Sequence, residues 1–165
     1  MKQIAFIALL WGGILSSLNV QAAQTTAYVS LKGKLVIPAV CTLQMSNNNI
    51  HFGDVLSTRI DGVNYQRKAV GYTLACDRTP TGTLTMTLTG TPAGFTGGSG
   101  ALGTSLNNLG IAFYSGSTRL TLNSAMAFSY TNQPALYAVP IKATAATFSS
   151  GGYFSAAANL VINYN

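Results

Sequence analysis

The chain has 165 residues, of which 9 are lysine or arginine and 3 are aspartate or glutamate, giving a formal net charge of +6. Hydrophobic residues make up 48% of the sequence and charged residues only 7%, a composition that builds a core and excludes intrinsic disorder. The basic residues occur in runs of two at most, whereas nucleic-acid-binding proteins concentrate them on one stripe or module. We therefore expect a weakly charged globular domain with no nucleic-acid partner.

Residues suited to acid–base chemistry and metal binding are scarce. The chain has one histidine, no glutamate and two cysteines that lie far apart. His51 and Asp54, in the sequence H-F-G-D, are the only neighbouring histidine and aspartate, and their pattern is more typical of a strand entering a turn than of an active site. Metal sites need more histidines or cysteines at close spacing. These counts predict no enzyme activity, no metal and no cofactor.

Residues 1–22 have the organisation of an export signal peptide. Lys2 supplies a positive charge, and an uncharged, mostly apolar run follows from Ile4 to Leu15. Small residues near the end of the segment predict cleavage after Ala22, with cleavage after Ala23 as the alternative. The apolar run is shorter than the roughly 20 residues that a membrane-spanning helix needs. We therefore expect an exported mature chain of 143 residues.

The mature chain begins with a segment, residues 25–37, in which apolar and polar residues alternate as in a half-buried β-strand. One face carries the apolar set of Ala27, Val29, Leu31, Gly33 and Leu35. The other face carries the polar set of Tyr28, Ser30, Lys32 and Lys34. Chain termini are usually frayed and polar, so an apolar face here predicts a strand that needs a partner.

Cys41 and Cys76 are the only cysteines of the chain. Export brings them into an oxidising compartment, where an isolated pair predicts a structural disulfide. In the chain-entropy view, closing a loop of this size contributes roughly 4 kcal/mol to stability. A reactive dithiol is the alternative, but catalytic cysteine pairs usually lie close together in sequence.

Period-two alternation recurs through the middle of the chain, and no long helical pattern does. The predicted strands are marked by Val70, Tyr72, Leu74 and Cys76, then by Leu84, Met86 and Leu88, then by Leu109, Ile111 and Phe113, and then by Leu136 to Val139. Pro140 predicts a sheet edge or a bulge, and the glycine-rich residues 94–104 predict a flexible connection. Short strands bounded by turns predict an all-β sandwich.

The last residues of the chain form another alternating segment. Apolar or small residues occupy every even position, namely Phe154, Ala156, Ala158, Leu160, Ile162 and Tyr164. An apolar terminal strand is an aggregation hazard if its edge stays open. The two terminal strands can find partners in two ways. Both strands can pair inside one closed sandwich, or each strand can pair with another chain. Periodicity leaves both open.

The two ends resemble those of chaperone–usher fimbrial subunits of the type 1 and P-pilus kind, and the resemblance covers essentially the whole mature chain. The run from Gly33 to Pro38, followed by Cys41-Thr42, is similar to the N-terminal extension of a pilin running into its first strand. Ala39-Val40, inserted between the proline and the cysteine, departs from that pattern. A polar turn follows Cys76, as in the family.

The resemblance continues through the rest of the chain. Leu109 to Phe113 is similar to the family's central strand. Gly152 stands fourteenth from the C-terminus and Tyr164 is penultimate, which resembles the strand that pilus chaperones recognise. By this resemblance, the chaperone-binding or groove strand comprises Gly152, Phe154, Ala156, Ala158, Leu160, Ile162 and Tyr164.

The resemblance implies an all-β fold, an incomplete immunoglobulin-like β-sandwich completed by a donor strand from another subunit. Residues 1–22 would be the signal peptide, residues 23–37 the donor-strand extension and residues 38–165 the pilin domain. The implied donor residues are Ala27, Val29, Leu31, Gly33 and Leu35, with Gly33 over a pocket too shallow for a Cβ. The implied partners are a periplasmic pilus chaperone, the outer-membrane usher and neighbouring pilus subunits in a hetero- or homopolymer.

The function that the resemblance implies is a structural subunit of a surface fimbrium, exported through the periplasm and supporting cell adhesion. A mature chain of 143 residues has no room for a second sandwich that binds a receptor, which favours a minor tip or adaptor subunit. The alternative is an exported monomeric β-sandwich that binds carbohydrate. A closed sandwich of that kind would need no chaperone, and the single tryptophan, Trp11, lies in the predicted signal peptide.

Overall fold

A computed structural model of the chain describes residues 24–164. Apart from one turn of 3-10 helix at Ser57–Arg59, its regular structure is entirely β, as predicted. The predicted signal peptide, residues 1–22, lies outside the described residues. The strands are β1 (Cys41–Met45), β2 (Lys68–Val70), β3 (Tyr72–Cys76), β4 (Leu84–Gly90), β5 (Leu102–Gly103), β6 (Leu109–Ser115), β7 (Thr118–Leu120), β8 (Ala125–Phe128), β9 (Leu136–Lys142) and β10 (Ala158–Asn163).

The strands form two facing layers around one apolar core. One sheet has the order β10-β4-β8, and the other has the order β2-β9-β6-β5, with β7 also paired to β6. Strand β4 shows why the layers pack: its apolar residues Leu84, Met86 and Leu88 are only 1%, 2% and 6% exposed, while threonines alternate on its other face. The alternation predicted for this strand is therefore confirmed, and its apolar face covers residues of β6, β8 and β9.

The first half of the domain joins the two-stranded sheet β1–β3 to the larger sheet. Strands β2 and β3 are separated by Gly71 alone, and β2 pairs with β9 while β3 pairs with β1. The chain approaches itself closely there, because a Cβ on Gly71 would lie 3.0 Å from the Cβ of Ser46. Cys41 and Cys76 are opposite each other in the β1–β3 register and form the predicted disulfide.

Strand β6 is buried on both faces, which its alternation did not predict. Ile111 and Phe113 face the main core, while Ala112 and Tyr114 belong to a second apolar cluster on the outer face of the sheet. The glycine-rich residues 94–104 cover part of this outer face, and Ala101 among them is completely buried. The prediction of a flexible connection is wrong, because turn hydrogen bonds and the pairing of β5 with β6 hold this segment in place.

Strand β9 runs through Pro140 without interruption. Pro140 pairs with Ile111 of β6, whereas β2 reaches along β9 only as far as Ala138. The missing N–H of Pro140 therefore faces the side where β9 has no strand beside it, and the prediction of a local sheet edge is confirmed. Across residues 24–164, the structure contains no helix of the length and hydrophobicity that membrane crossing requires.

Candidate functional site

Strands β1 and β10 each have a strand partner on one edge only, and their free edges face each other across the sandwich. Among the described strands, β1 pairs with β3 alone and β10 pairs with β4 alone, and β1 and β10 do not pair with each other. A strand edge without a partner presents a row of backbone N–H and C=O groups that can pair with another chain. The sandwich is therefore open between β1 and β10, and the closed-sandwich alternative is wrong.

The segments containing these strands run antiparallel and touch at both ends. At one end the hydroxyl of Tyr164 accepts a hydrogen bond from the backbone N–H of Cys41, with 3.3 Å between the heavy atoms. At the other end the rings of Phe52 and Phe154 lie 6.0 Å apart between centroids. We call the gap between residues 41–52 and residues 154–164 the groove.

Core side chains are incompletely covered along the groove. Leu43 on β1 and Leu160 and Ile162 on β10 pack against the main core but are only half-buried, unlike Leu74 and Leu88 one strand further in. Uncovered apolar surface of this kind is worth about 25 cal/mol per Å² when another surface buries it. The groove thus has the chemistry of a site for an extended apolar strand.

Strand β10 reproduces only the later part of the predicted alternating segment. Leu160, Ile162 and Tyr164 are half-buried, and the odd-numbered residues between them are exposed. Gly152, Ala156 and Ala158 are exposed. Phe154 is half-buried and packs on the core, although regular strand structure begins only at Ala158.

The segment before β10 pairs with a different part of the domain. Ser155 accepts a hydrogen bond from the N–H of Ser105 at 2.9 Å, and its own N–H donates to the Ser105 hydroxyl at 3.0 Å. The chain therefore lies beside the loop that precedes β6 at Ser155, and it joins β4 only from Ala158 onward. This change of partner explains why the predicted strand is shorter than its sequence pattern.

A cavity of about 920 Å³ lies at the Phe52 and Phe154 end of the groove. Residues 50–57 form one wall, residues 148–154 form another, and Leu106 and Leu109 also line it. The lining is largely aromatic and aliphatic, and its histidine and carboxylate are His51 and Asp54. Sequence reasoning missed this cavity, although the alternation of Ile50 and Phe52 was a usable signal.

The three carboxylates of the described residues differ in their partners. Asp61 accepts hydrogen bonds of 2.9 Å from the N–H groups of Tyr65, Val63 and Asn64, and these bonds lower its pKa below 3.8. Asp77 accepts a hydrogen bond from the Val40 N–H and pairs with Arg78 at 3.1 Å, and both contacts lower its pKa. Within residues 24–164, the Asp54 carboxylate has neither a hydrogen bond nor an ion pair.

The N-terminal segment shows no strand in the described chain. Residues 24–40 have no regular secondary structure. The apolar side chains of Val29, Leu31 and Leu35 are 73%, 90% and 91% exposed. A Cβ on Gly33 would meet no atom within 4 Å. The division at residue 37 and the pairing of this segment with another subunit stay predictions.

The ionisable residues of the cavity do not form a recognisable catalytic arrangement. His51 and Asp54 are both exposed on its wall. No hydrogen bond joins their side chains within the part of the chain that the structure describes. The same residues contain no cluster of three histidine, cysteine, aspartate or glutamate side chains able to hold a metal ion.

Comparison with known proteins agrees with this geometry. The family model for fimbrial proteins matches residues 29–165. The uncharacterized fimbrial-like protein YfcQ of Escherichia coli strain K12 is 34% identical over 143 residues, which is 82% of this chain and 86% of YfcQ. The uncharacterized fimbrial-like protein YfcR of the same strain is 30% identical over 152 residues, which is 90% of this chain and 86% of YfcR.

Solved pilus structures share the fold. The P pilus rod subunit PapA superimposes with a TM-score of 0.59 at 20% identity, over 79% of this chain and 94% of PapA. A subunit of a chaperone–usher pilus gives 0.61 at 21% identity, over 88% and 99%. The P pilus adaptor subunit PapF gives 0.51 at 26% identity, over 76% and 95%. The open sandwich and these matches together show that the chain belongs to the fimbrial protein family and has the incomplete immunoglobulin-like fold of a pilus subunit.

Proposed function

We propose that this chain is a structural subunit of a chaperone–usher fimbria that polymerises by donor-strand exchange and performs no catalysis. One observation carries the proposal: an apolar groove lies open between β1 and β10, while the apolar residues of the N-terminal segment are exposed. In an isolated chain both the groove and the N-terminal segment expose apolar surface to water, which is unfavourable. When the N-terminal segment of one chain lies in the groove of another, both surfaces are buried together.

The edge of β1 supports strand addition in detail. Val40 and Asp77 form a backbone-paired position, because the Asp77 N–H donates to the Val40 carbonyl at 3.0 Å. Backbone groups alternate in direction along an antiparallel pair, so the N–H groups of Cys41 and Leu43 point away from β3, toward the groove. Cys41 donates to Tyr164, and Leu43 remains as a donor for an incoming strand.

The donor in this proposal is the N-terminal segment of the next subunit. Its apolar residues Ala27, Val29, Leu31 and Leu35 enter the groove, and Gly33 lies where the groove is shallow. Before assembly, the chaperone binds the C-terminal strand that borders the groove. The residues of this strand are Gly152, Phe154, Ala156, Ala158, Leu160, Ile162 and Tyr164.

The place of the subunit in its fibre is also a proposal. We infer a minor tip or adaptor subunit that is delivered by a periplasmic chaperone and an outer-membrane usher to the cell surface, where the fibre supports adhesion. The likeness to an adaptor subunit, PapF, supports this role.

An exchange assay with purified chaperone–subunit complexes tests the proposal. Replacing Leu31 with Asp places a charge in an apolar pocket and costs several kcal/mol, so the heat-sensitive, SDS-resistant dimer with the preceding subunit should not form. Ser30→Asp is the matched control, because it adds the same charge to the opposite face of the strand and should leave the dimer intact. Deletion of residues 23–35 should abolish the dimer as well.

Two results would contradict the proposal. Dimer formation that survives the deletion of residues 23–35 would remove the donor role of this segment. Equal loss with Leu31→Asp and Ser30→Asp would show that charge alone, and not insertion of one apolar face, decides the outcome.

A further inference from the structure

Asp54 is placed to recognise a charged partner at the groove. Its side chain lines the cavity at the Phe52 and Phe154 end and is exposed. The other two carboxylates of the described residues are engaged, Asp61 by three backbone N–H groups and Asp77 by Val40 and Arg78. In a chain with a net charge of +6, Asp54 is therefore the one carboxylate among residues 24–164 that is left to meet an added cation.

The N-terminal segment of the same sequence carries cations at a matching place. Lys32 and Lys34 alternate with Leu31, Gly33 and Leu35, so they lie on the polar face when the apolar face is buried. Both lysines stand near the C-terminal end of the segment. A strand that buries its apolar face in the groove turns this polar face, with both lysines, to solvent.

We propose that the groove accepts the N-terminal strand of a second copy of this chain, and that Asp54 selects that strand by pairing with Lys32 and Lys34. The inference rests on the proposed function and adds to it the identity of a partner and a specificity-determining residue. It follows that successive copies of this subunit can occur in one fibre.

Length and direction fit this assignment. The facing segments of the groove have 12 and 11 residues, and residues 24–35 supply 12 residues at about 3.3 Å each. A strand antiparallel to β10 brings Lys32 and Lys34 to the Phe52 and Phe154 end, where Asp54 lies. The opposite direction would bring them to the disulfide end, where the guanidinium of Arg78 already pairs with Asp77.

The energetics of an exposed ion pair define what Asp54 contributes. Such pairs add about two- to fivefold to affinity, and their effect is screened as ionic strength rises. Burial of the apolar face therefore supplies most of the binding. Asp54 distinguishes this strand from other apolar strands and raises its association rate at low salt.

The test measures binding of a fluorescently labelled peptide of residues 24–37 to the full mature chain, at 50 mM and at 1 M NaCl. Asp54→Asn keeps the shape of the side chain, and we expect about two- to fivefold weaker binding at low salt and no difference at high salt. A peptide with Lys32→Gln and Lys34→Gln should bind the unchanged chain as weakly as the native peptide binds the Asp54→Asn chain. Its affinity should not fall further when the chain also carries Asp54→Asn. A control peptide that has Thr26→Lys and Tyr28→Lys in place of the two lysines keeps the net charge and should also bind weakly.

The outcomes separate this inference from the proposed function. If Asp54→Asn and the glutamine peptide leave low-salt binding unchanged, the selective role of Asp54 is overturned. If the native peptide does not bind while the chain still accepts strands of other subunits, pairing of two copies is overturned and the proposed function stands. If a Leu31→Asp peptide binds as well as the native one, strand insertion itself fails.

Discussion

Both cysteines of the disulfide donate their backbone N–H groups to tyrosine hydroxyls. The N–H of Cys76 donates to the hydroxyl of Tyr130 at 3.1 Å, and the N–H of Cys41 donates to that of Tyr164 at 3.3 Å. Gln133 adds a hydrogen bond to the Leu74 carbonyl at 3.1 Å. Side chains following β8 thus satisfy one edge of β3, which prevents that edge from pairing with another chain. At the groove edge of β1, Tyr164 is the one side chain among residues 24–164 that accepts such a hydrogen bond.

Replacing Tyr130 with Phe should destabilise the domain by about 1–2 kcal/mol, because a half-buried N–H loses its acceptor while the ring is kept. Urea unfolding followed by circular dichroism measures the change. Tyr153→Phe is the control, since the Tyr153 side chain is completely exposed. Equal unfolding midpoints for the two variants would show that the Tyr130 hydroxyl does not stabilise the fold.

Acid should weaken the fold through Asp61. Its pKa is lowered in the folded chain by the N–H groups of Tyr65, Val63 and Asn64, so folding is favoured by the ionised form. This contribution is complete above the unfolded pKa of about 3.9 and is lost as the pH falls through the lower folded value. The free energy of unfolding should stay level between pH 7 and pH 5 and fall below about pH 4. Asp61→Asn should fall less steeply in urea titrations, and an identical slope would contradict the prediction.

The end of strand β4 lies opposite the start of β10. Gly90 lies opposite Ala158, and both its backbone N–H and its carbonyl bond to the side chain of Asn123, at 3.0 and 3.1 Å. A Cβ on Gly90 would lie 2.5 Å from Leu102 Cδ1 and 3.1 Å from the Ala157 carbonyl oxygen. The missing side chain therefore lets the β5 region and the start of β10 approach β4 together.

Gly90→Ala should lower the free energy of unfolding by about 1–3 kcal/mol, the usual cost of overpacking a filled site. Gly94→Ala is the matched control, because a Cβ on Gly94 would meet no atom within 4 Å. Thermal unfolding of the two variants measures the difference. A Gly90→Ala variant as stable as Gly94→Ala would mean that Leu102 moves aside without loss of packing.

Removing residues 163–165 should abolish the proposed chaperone complex. The truncation deletes Tyr164, whose hydroxyl joins β10 to Cys41, and the last position of the β4–β10 ladder, Asn163 opposite Thr85. Copurification with the chaperone from periplasm measures the complex, and Asn163→Ala in the full chain is the control. A truncated chain that accumulates normally and still copurifies would refute this role of the C-terminal strand.

At the scale of the whole molecule, assembly should change the protease sensitivity of the N-terminal segment. Lys32 and Lys34 are exposed, whereas Lys142 is half-buried in β9 and donates a hydrogen bond to the Ser57 carbonyl at 2.9 Å. Trypsin should cleave the chaperone-bound subunit after Lys32 and Lys34 and leave Lys142 intact. In assembled fibres the segment should resist cleavage, because a strand paired on both edges is not accessible to a protease. Mass spectra showing equal cleavage in both states would contradict strand insertion.

The amino-acid sequence by itself determined the elements whose residues interact with near neighbours in a simple repeat. The alternation of Leu84, Met86 and Leu88 indicated strand β4 and its buried face, and the isolated pair of Cys41 and Cys76 indicated the disulfide. A period of two is intrinsic to an extended chain with one apolar side, so it is visible before any folding.

Only the tertiary structure decided which segments meet. Strand β6 is buried on both faces because a glycine-rich segment covers its outer side, and β10 begins at Ala158 because Ser155 pairs with Ser105. The cavity beside Asp54 exists because residues 50–57 and 148–154, nearly 100 positions apart, come together at one end of the groove. Such contacts depend on strand order and register across the whole sandwich, and no local repeat carries that information.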